Sequence, residues 1–151
     1  METTVKSIDV LNDLIEINND RVAGFEKVLA DINDENIDLK ELFQEYSAQS
    51  RRFSQELTEL VAVEGGDAET GTSVSGNLHR AWIDVKAIFG GSDRESILSE
   101  AERGEDAIKN AYNDALEENR LIGTAYSQVS KQAQEIKDAH DRNKALRDSA
   151  K

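Results

Sequence analysis

Apolar positions along this chain recur at alternating spacings of three and four residues, in four separate runs. The first is Ile8, Leu11, Ile15, Asn18, Val22, Phe25, Leu29 and Ile32, and the second is Leu39, Phe43, Tyr46, Ser50, Phe53, Leu57 and Leu60. The third is Leu98, Ala101, Glu105, Ile108, Tyr112 and Ala115. The fourth is Ile122, Ala125, Val129, Gln132, Ile136, Ala139 and Leu146, with Asn143 interrupting it. That rhythm lays one stripe along one face of an α-helix. It predicts helices over about 5–32, 37–63, 93–117 and 120–147, each roughly 40 Å long at 1.5 Å per residue.

Punctuation agrees with these limits. "DINDENID" (Asp31 to Asp38) reads as a polar turn, and "EGGDAETGTS" (Glu64 to Ser73) as a flexible glycine-rich loop. In "FGGSD", Gly90 and Gly91 suit a helix C-terminus, while Ser92 with Glu95 fits a capping box that starts the next helix. The break near Asn119 has neither glycine nor proline, so residues 93–147 could form one long helix or a hairpin. A lone long helix would leave half of its stripe in water unless the chain dimerised through it. That consideration favours the hairpin, and with it a four-helix bundle in one domain over residues 1–151.

The connection over 64–92 is too long for a plain loop. Leu78, Trp82, Val85 and Phe89 line one face of a short helix within it, over about 74–89. His79 shares a face with Trp82, three residues on. The pair is expected to plug the seam between crossover and bundle, with the imidazole packed and hydrogen-bonded rather than acting as a ligand.

Composition narrows the class. The absence of proline favours long helices over sheet. The absence of cysteine excludes disulfides, thiolate metal sites and thiol nucleophiles. A net charge of −13 repels phosphate backbones and anionic lipid, so neither nucleic acid nor a membrane surface is an expected partner. The N-terminus has no apolar signal core and no stretch reaches membrane-spanning length, so the expectation is a soluble, cytoplasmic protein. The acidity serves solubility, or else attracts cations and basic partners.

The stretches "LNDLIEINNDRVAGFEKVLADI" and "GNLHRAWIDVKAIFGGSDRESILSEAERGEDAIKNAYNDAL" resemble bacterial ferritin-like four-helix-bundle proteins of unknown function, which sit near the stress-associated bundles of the ferritin-like superfamily. "HRAW" and "ERGEDA" are the most specific parts of the likeness. It implies an all-α ferritin-like bundle with a long crossover between the second and third helices. It also raises the possibility of a di-iron carboxylate site.

Such a site needs a Glu from each of two helices and a Glu-x-x-His from each of the other two. No Glu-x-x-His occurs here, since Gly76 precedes His79 by three and Lys137 precedes His140 by three. The polar residues in the four stripes fall elsewhere. Asn18 and Ser50 are each sixteen residues from Asp34, and Glu105 and Gln132 are equidistant from the 118/119 break. Antiparallel pairing puts Asn18 beside Ser50 and Glu105 beside Gln132, as a mid-bundle polar layer. One carboxylate among amides and hydroxyls suits helix register better than a transition metal. If buried, Glu105 needs donors, with Tyr46, Tyr112, Gln132 or Arg51 as candidates.

Remaining signals are weaker. Glu102 and Asp106 share a helix face that reads as a solvated stripe rather than an acid/base pair. "EGGDAETGTSVSG" lacks the P-loop spacing and lysine, and "DINDENIDLKE" lacks the central glycine of a calcium loop. His140 is expected to be exposed.

The expectation is therefore a non-enzymatic structural, interaction or stress-associated bundle with no catalytic residues, no cofactor and no resident metal. A homodimer and an unidentified protein partner stay open. The alternative is a divergent metal-binding or redox bundle using Glu105 and its neighbours. If Trp82 is a buried plug, Trp82→Ala should lower stability by about 3–5 kcal/mol; an unchanged melting temperature would remove that role.

Overall fold

The computed structural model describes residues 2–31, 36–69, 94–117 and 121–149. The crossover helix expected over 74–89, with His79 and Trp82, lies outside the described residues, as does the break at 118–120. Helices α1 (Glu2–Asp31), α2 (Ile37–Val63), α3 (Arg94–Glu117) and α4 (Gly123–Ser149) account for nearly everything described, with no strand among the described residues. No helix among them is long and apolar enough to cross a membrane.

Cross-helix contacts fix the directions. Ser50 bonds to Asn18 while Glu64 bonds to Ser7, so α1 and α2 are antiparallel. Tyr112 meets Gln132 while Leu98 meets Asn143, so α3 and α4 are antiparallel too. Asn18 reaches Tyr112 and Arg21 reaches Glu105, which sets α1 against α3 in opposite senses. Tyr46 with Ala139 and Arg52 with Glu135 do the same for α2 and α4. All neighbours are thus antiparallel and the diagonal pairs parallel: up, down, down, up. α2 ends beside the start of α1, whereas α3 begins at the opposite end, where Arg94 reaches Asn36 and Asp38.

The stripes make the core, with instructive shifts. On α3, all six expected positions are buried. On α1 the buried seam runs through Leu11, Leu14, Asn18, Arg21, Phe25 and Val28, whereas Val22 and Leu29 are only half-buried. A hydrophobicity pattern passes over Arg21 because it is charged and takes Val22 in its place. At the start of α4, Ile122 is 65% exposed and Leu121 is buried instead. On α2, Val61 is buried and Leu60 half-buried, a one-residue shift in the last turn. The aromatic centre of the core is Phe25, packed on Phe43 at 5.1 Å and Tyr46 at 5.8 Å.

The start of "EGGDAETGTS" forms a helix cap that folds against α1. The Gly65 N–H donates to Ala62 and the Gly66 N–H to Val61, and Gly65 sits at φ 85°, a Schellman cap that only glycine adopts cheaply. An Ala Cβ at Gly66 would lie 2.8 Å from Ile8, so α1 closes tightly on the cap. Asn12 then clips the chain down, donating to the Asp67 carbonyl and accepting from the Glu69 N–H.

Candidate functional site

Asn18 and Arg21 lie three apart on α1, so both face the core at mid-length. α2 brings Gln49, Ser50 and Glu56 to the same level, α3 brings Glu105 and Tyr112, and α4 brings Gln132. The Arg21 guanidinium, fully buried, grips Glu105 with two parallel bonds: Nε to Oε1 at 2.7 Å and Nη2 to Oε2 at 2.9 Å. Its Nη1 donates to Gln49 Oε1 at 2.8 Å and Ser50 Oγ at 3.0 Å. The guanidinium also lies 5.5 Å from the Phe25 ring centre and 5.2 Å from that of Tyr46, within cation–π range.

From Arg21 the donors run on in one direction. Ser50 Oγ donates to Asn18 Oδ1 at 2.9 Å, and Asn18 Nδ2 donates to the Tyr112 hydroxyl at 2.8 Å and the Leu14 carbonyl at 2.9 Å. Tyr112 donates to Gln132 Oε1 at 2.7 Å, and Gln132 Nε2 to Glu56 Oε1 at 3.0 Å. A flipped Asn18 amide would set oxygen against the Leu14 carbonyl, so the amide orientation follows from the network. The chain links a fully buried carboxylate to a half-buried one across all four helices.

Asn18 and Ser50 are therefore bonded to each other directly, while Glu105 and Gln132 share the layer through other residues. Glu105 takes its charged donor from Arg21, not from Tyr46, Tyr112, Gln132 or Arg51. Tyr46 donates to the Ala139 carbonyl, and Arg51 pairs at the surface with Glu26. Arg21 is the residue that sequence reasoning missed. Its signal was its place three residues after Asn18 on a seam that needed a cation for Glu105.

Two further expectations are corrected. His140 is buried rather than exposed, at 7%. Its Nε2 meets Asp106 and lies 3.9 Å from Glu102 Oε1, while Nδ1 lies 3.2 Å from Asp141. Glu102 is buried rather than on a solvated stripe, with its Oε2 held by Arg147. Antiparallel pairing of α3 and α4 brings these groups level, and nothing in either helix's own pattern reveals it.

The mid-bundle layer does not fit a di-iron centre. Its one fully buried carboxylate, Glu105, has both oxygens committed to Arg21, and the rest of the network is amides, a hydroxyl and a phenol that end on half-buried Glu56, with no imidazole among its bonded members. What the arrangement does is hold four helices in register. An all-α protein with an ion pair and a directed hydrogen-bond chain through its core is the class that fold and site define. The family model described as "Domain of unknown function (DUF2383)" matches residues 6–118, and the chain belongs to that family. The matched residues take in Asn18, Arg21, Ser50, Glu105 and Tyr112 and stop short of α4. No curated protein matches the chain.

Removing one partner of a buried pair strands the other charge. Arg21→Met and Glu105→Leu should each lose about 3–5 kcal/mol, and the double variant should regain most of it. Urea unfolding of all four proteins checks this, and simple additivity would show that the two residues are not coupled.

Burial, with the Glu105 charge second, pushes the Tyr46 phenol up to about 12, and burial pushes Tyr112 up as well. A folded value above the unfolded one, near 10, gives stability that is complete below about pH 10 and lost as the pH rises toward the folded value. In an alkaline absorbance titration, these two phenols should ionise only together with loss of helical circular dichroism. Ionisation of all three tyrosines with the helices intact would contradict their burial.

Proposed function

We propose that this protein is a ferritin-like bundle in which an ion pair takes the place of a di-iron centre, and that it serves as a non-enzymatic structural or interaction component of the bacterial cytoplasm under stress. The observation that carries the reading is Arg21, fully buried and bidentate on Glu105. A guanidinium carries a charge that no pH in the cell removes. Set where a metal would sit, it satisfies the carboxylate and repels an incoming cation.

Helix directions support the ferritin-like part. Up, down, down, up with antiparallel neighbours is the arrangement that a crossover between the second and third helices requires. The net charge of −13 supports a partner other than nucleic acid or anionic lipid. The competing redox reading would use Glu105 as a ligand, and the Arg21 bonds count against it.

Anaerobic Fe²⁺ loading followed by desalting and elemental analysis tests the proposal. The expected result is no iron that depends on Glu105, and Fe²⁺ oxidation no faster than in buffer. About two irons per chain that disappear in Glu105→Gln would overturn it.

A further inference from the structure

A second cluster of polar side chains lies on the α3–α4 seam, on α3 residues that flank Glu105 in sequence. Glu102 and Asp106 are four apart on α3 and share a face, with His140 of α4 level with them. One donor atom from each lies within 4.8 Å of the other two. We propose that Glu102, Asp106 and His140 form a binding site for one borderline divalent transition-metal cation, of which Zn²⁺ is the best match. The inference does not depend on the preceding reading, because the two places share no residue.

The donor set is the first argument. One imidazole nitrogen and two carboxylate oxygens, with water in the fourth position, is a coordination set that Zn²⁺ accepts, whereas Mg²⁺ and Ca²⁺ take oxygen ligands. Zn²⁺ sits about 2.0–2.2 Å from such donors, which puts the donors themselves about 3.3–3.6 Å apart. His140 Nε2 and Glu102 Oε1 are 3.9 Å apart, and Asp106 already touches Nε2. The Asp106 side chain is 54% exposed, so a small rotation opens the remaining space. The cation would sit between Nε2 and Asp106.

The surrounding groups are the second argument. His140 Nδ1 faces Asp141 at 3.2 Å, and an Nδ1–H donated there leaves the Nε2 lone pair for a metal. Arg147 binds Glu102 through Oε2, leaving Oε1 turned toward His140. The second oxygen of that ligand is thus already oriented by a hydrogen bond, as carboxylate ligands usually are. Asp141 and Asp148 add carboxylates to the rim beside Glu102 and Asp106, with Lys137 and Arg147 as their partners.

The third argument is an orphaned acceptor. Asn143 follows His140 by three and precedes Arg147 by four, so on α4 it lies between the two residues that reach Glu102. It is fully buried, its Nδ2 donates to the Leu98 carbonyl, and its Oδ1 has no partner among the described residues. A water bound to the cation would supply the missing donor.

Calorimetric titration of the metal-free full chain with ZnCl₂ tests the site. The expected result is one Zn²⁺ per chain, with stoichiometric binding lost in His140→Ala and in Asp106→Asn. Asp106 is largely exposed, so its variant keeps the fold, and helical circular dichroism verifies this. Asp141→Asn should weaken binding about 10–100-fold. His79→Ala, which changes the only other histidine, should bind as the wild type does. Absence of Zn²⁺ binding, or binding that survives both His140→Ala and Asp106→Asn, would overturn the proposal.

Discussion

The structure depends on one bidentate contact, from the guanidinium of Arg21 to the carboxylate of Glu105. Both side chains are fully buried. Desolvating either alone costs several kcal/mol, and their mutual attraction offsets this only where geometry is good and the leftover donors and acceptors are filled. Those conditions explain the neighbours. Gln49 and Ser50 take the remaining Nη1 donors, and the faces of Phe25 and Tyr46 flank the cation. A pair of this kind adds little or nothing more to stability than an apolar core of the same volume would. It does penalise every arrangement of helices in which it cannot form.

That penalty acts on the whole bundle because the network does not stop at the pair. Ser50, Asn18, Tyr112 and Gln132 pass the donor sense on to Glu56, so each helix contributes at least one member. Slipping α4 by one turn would part Gln132 from Tyr112, and slipping α3 would part Glu105 from Arg21. Leucine-rich stripes are tolerant of such slips, since one apolar turn resembles the next. The polar layer is therefore where register is decided, and the apolar residues above and below it supply most of the driving force. Where α2 begins, Arg94 holds the Asp38 carboxyl below the usual carboxylate range and ties the start of α3 to the start of α2.

Much of this is legible in the amino-acid sequence. Period-three-and-four spacing marks the four helices to within a few residues at each end, because burying a stripe is what makes those segments helical. Equal distances from the first turn put Asn18 opposite Ser50, since antiparallel neighbours mirror each other about their connection. Arg21 was not legible in the same way. A pattern of apolarity assigns a lone arginine to solvent, and only its partner, far along the chain on another helix, reverses that assignment. His140 and Glu102 escaped for the same reason. The charge of each suits a surface position until the facing helix covers it. Ile122 erred in the opposite direction, since an apolar residue just ahead of a helix need not face the core.

The central claim is that a charged guanidinium is locked inside the bundle, and the Nε–H of Arg21 reports on it most directly. Its hydrogen exchange can be followed by ¹⁵N-resolved NMR of the arginine side chains, assigned by comparison with Arg21→Lys. If the ion pair is the register lock described, that proton should exchange only through large-scale opening of the bundle, orders of magnitude more slowly than those of the half-exposed Arg51 and Arg52. Exchange of Arg21 as fast as those surface arginines, in a protein whose core amides stay protected, would contradict the account.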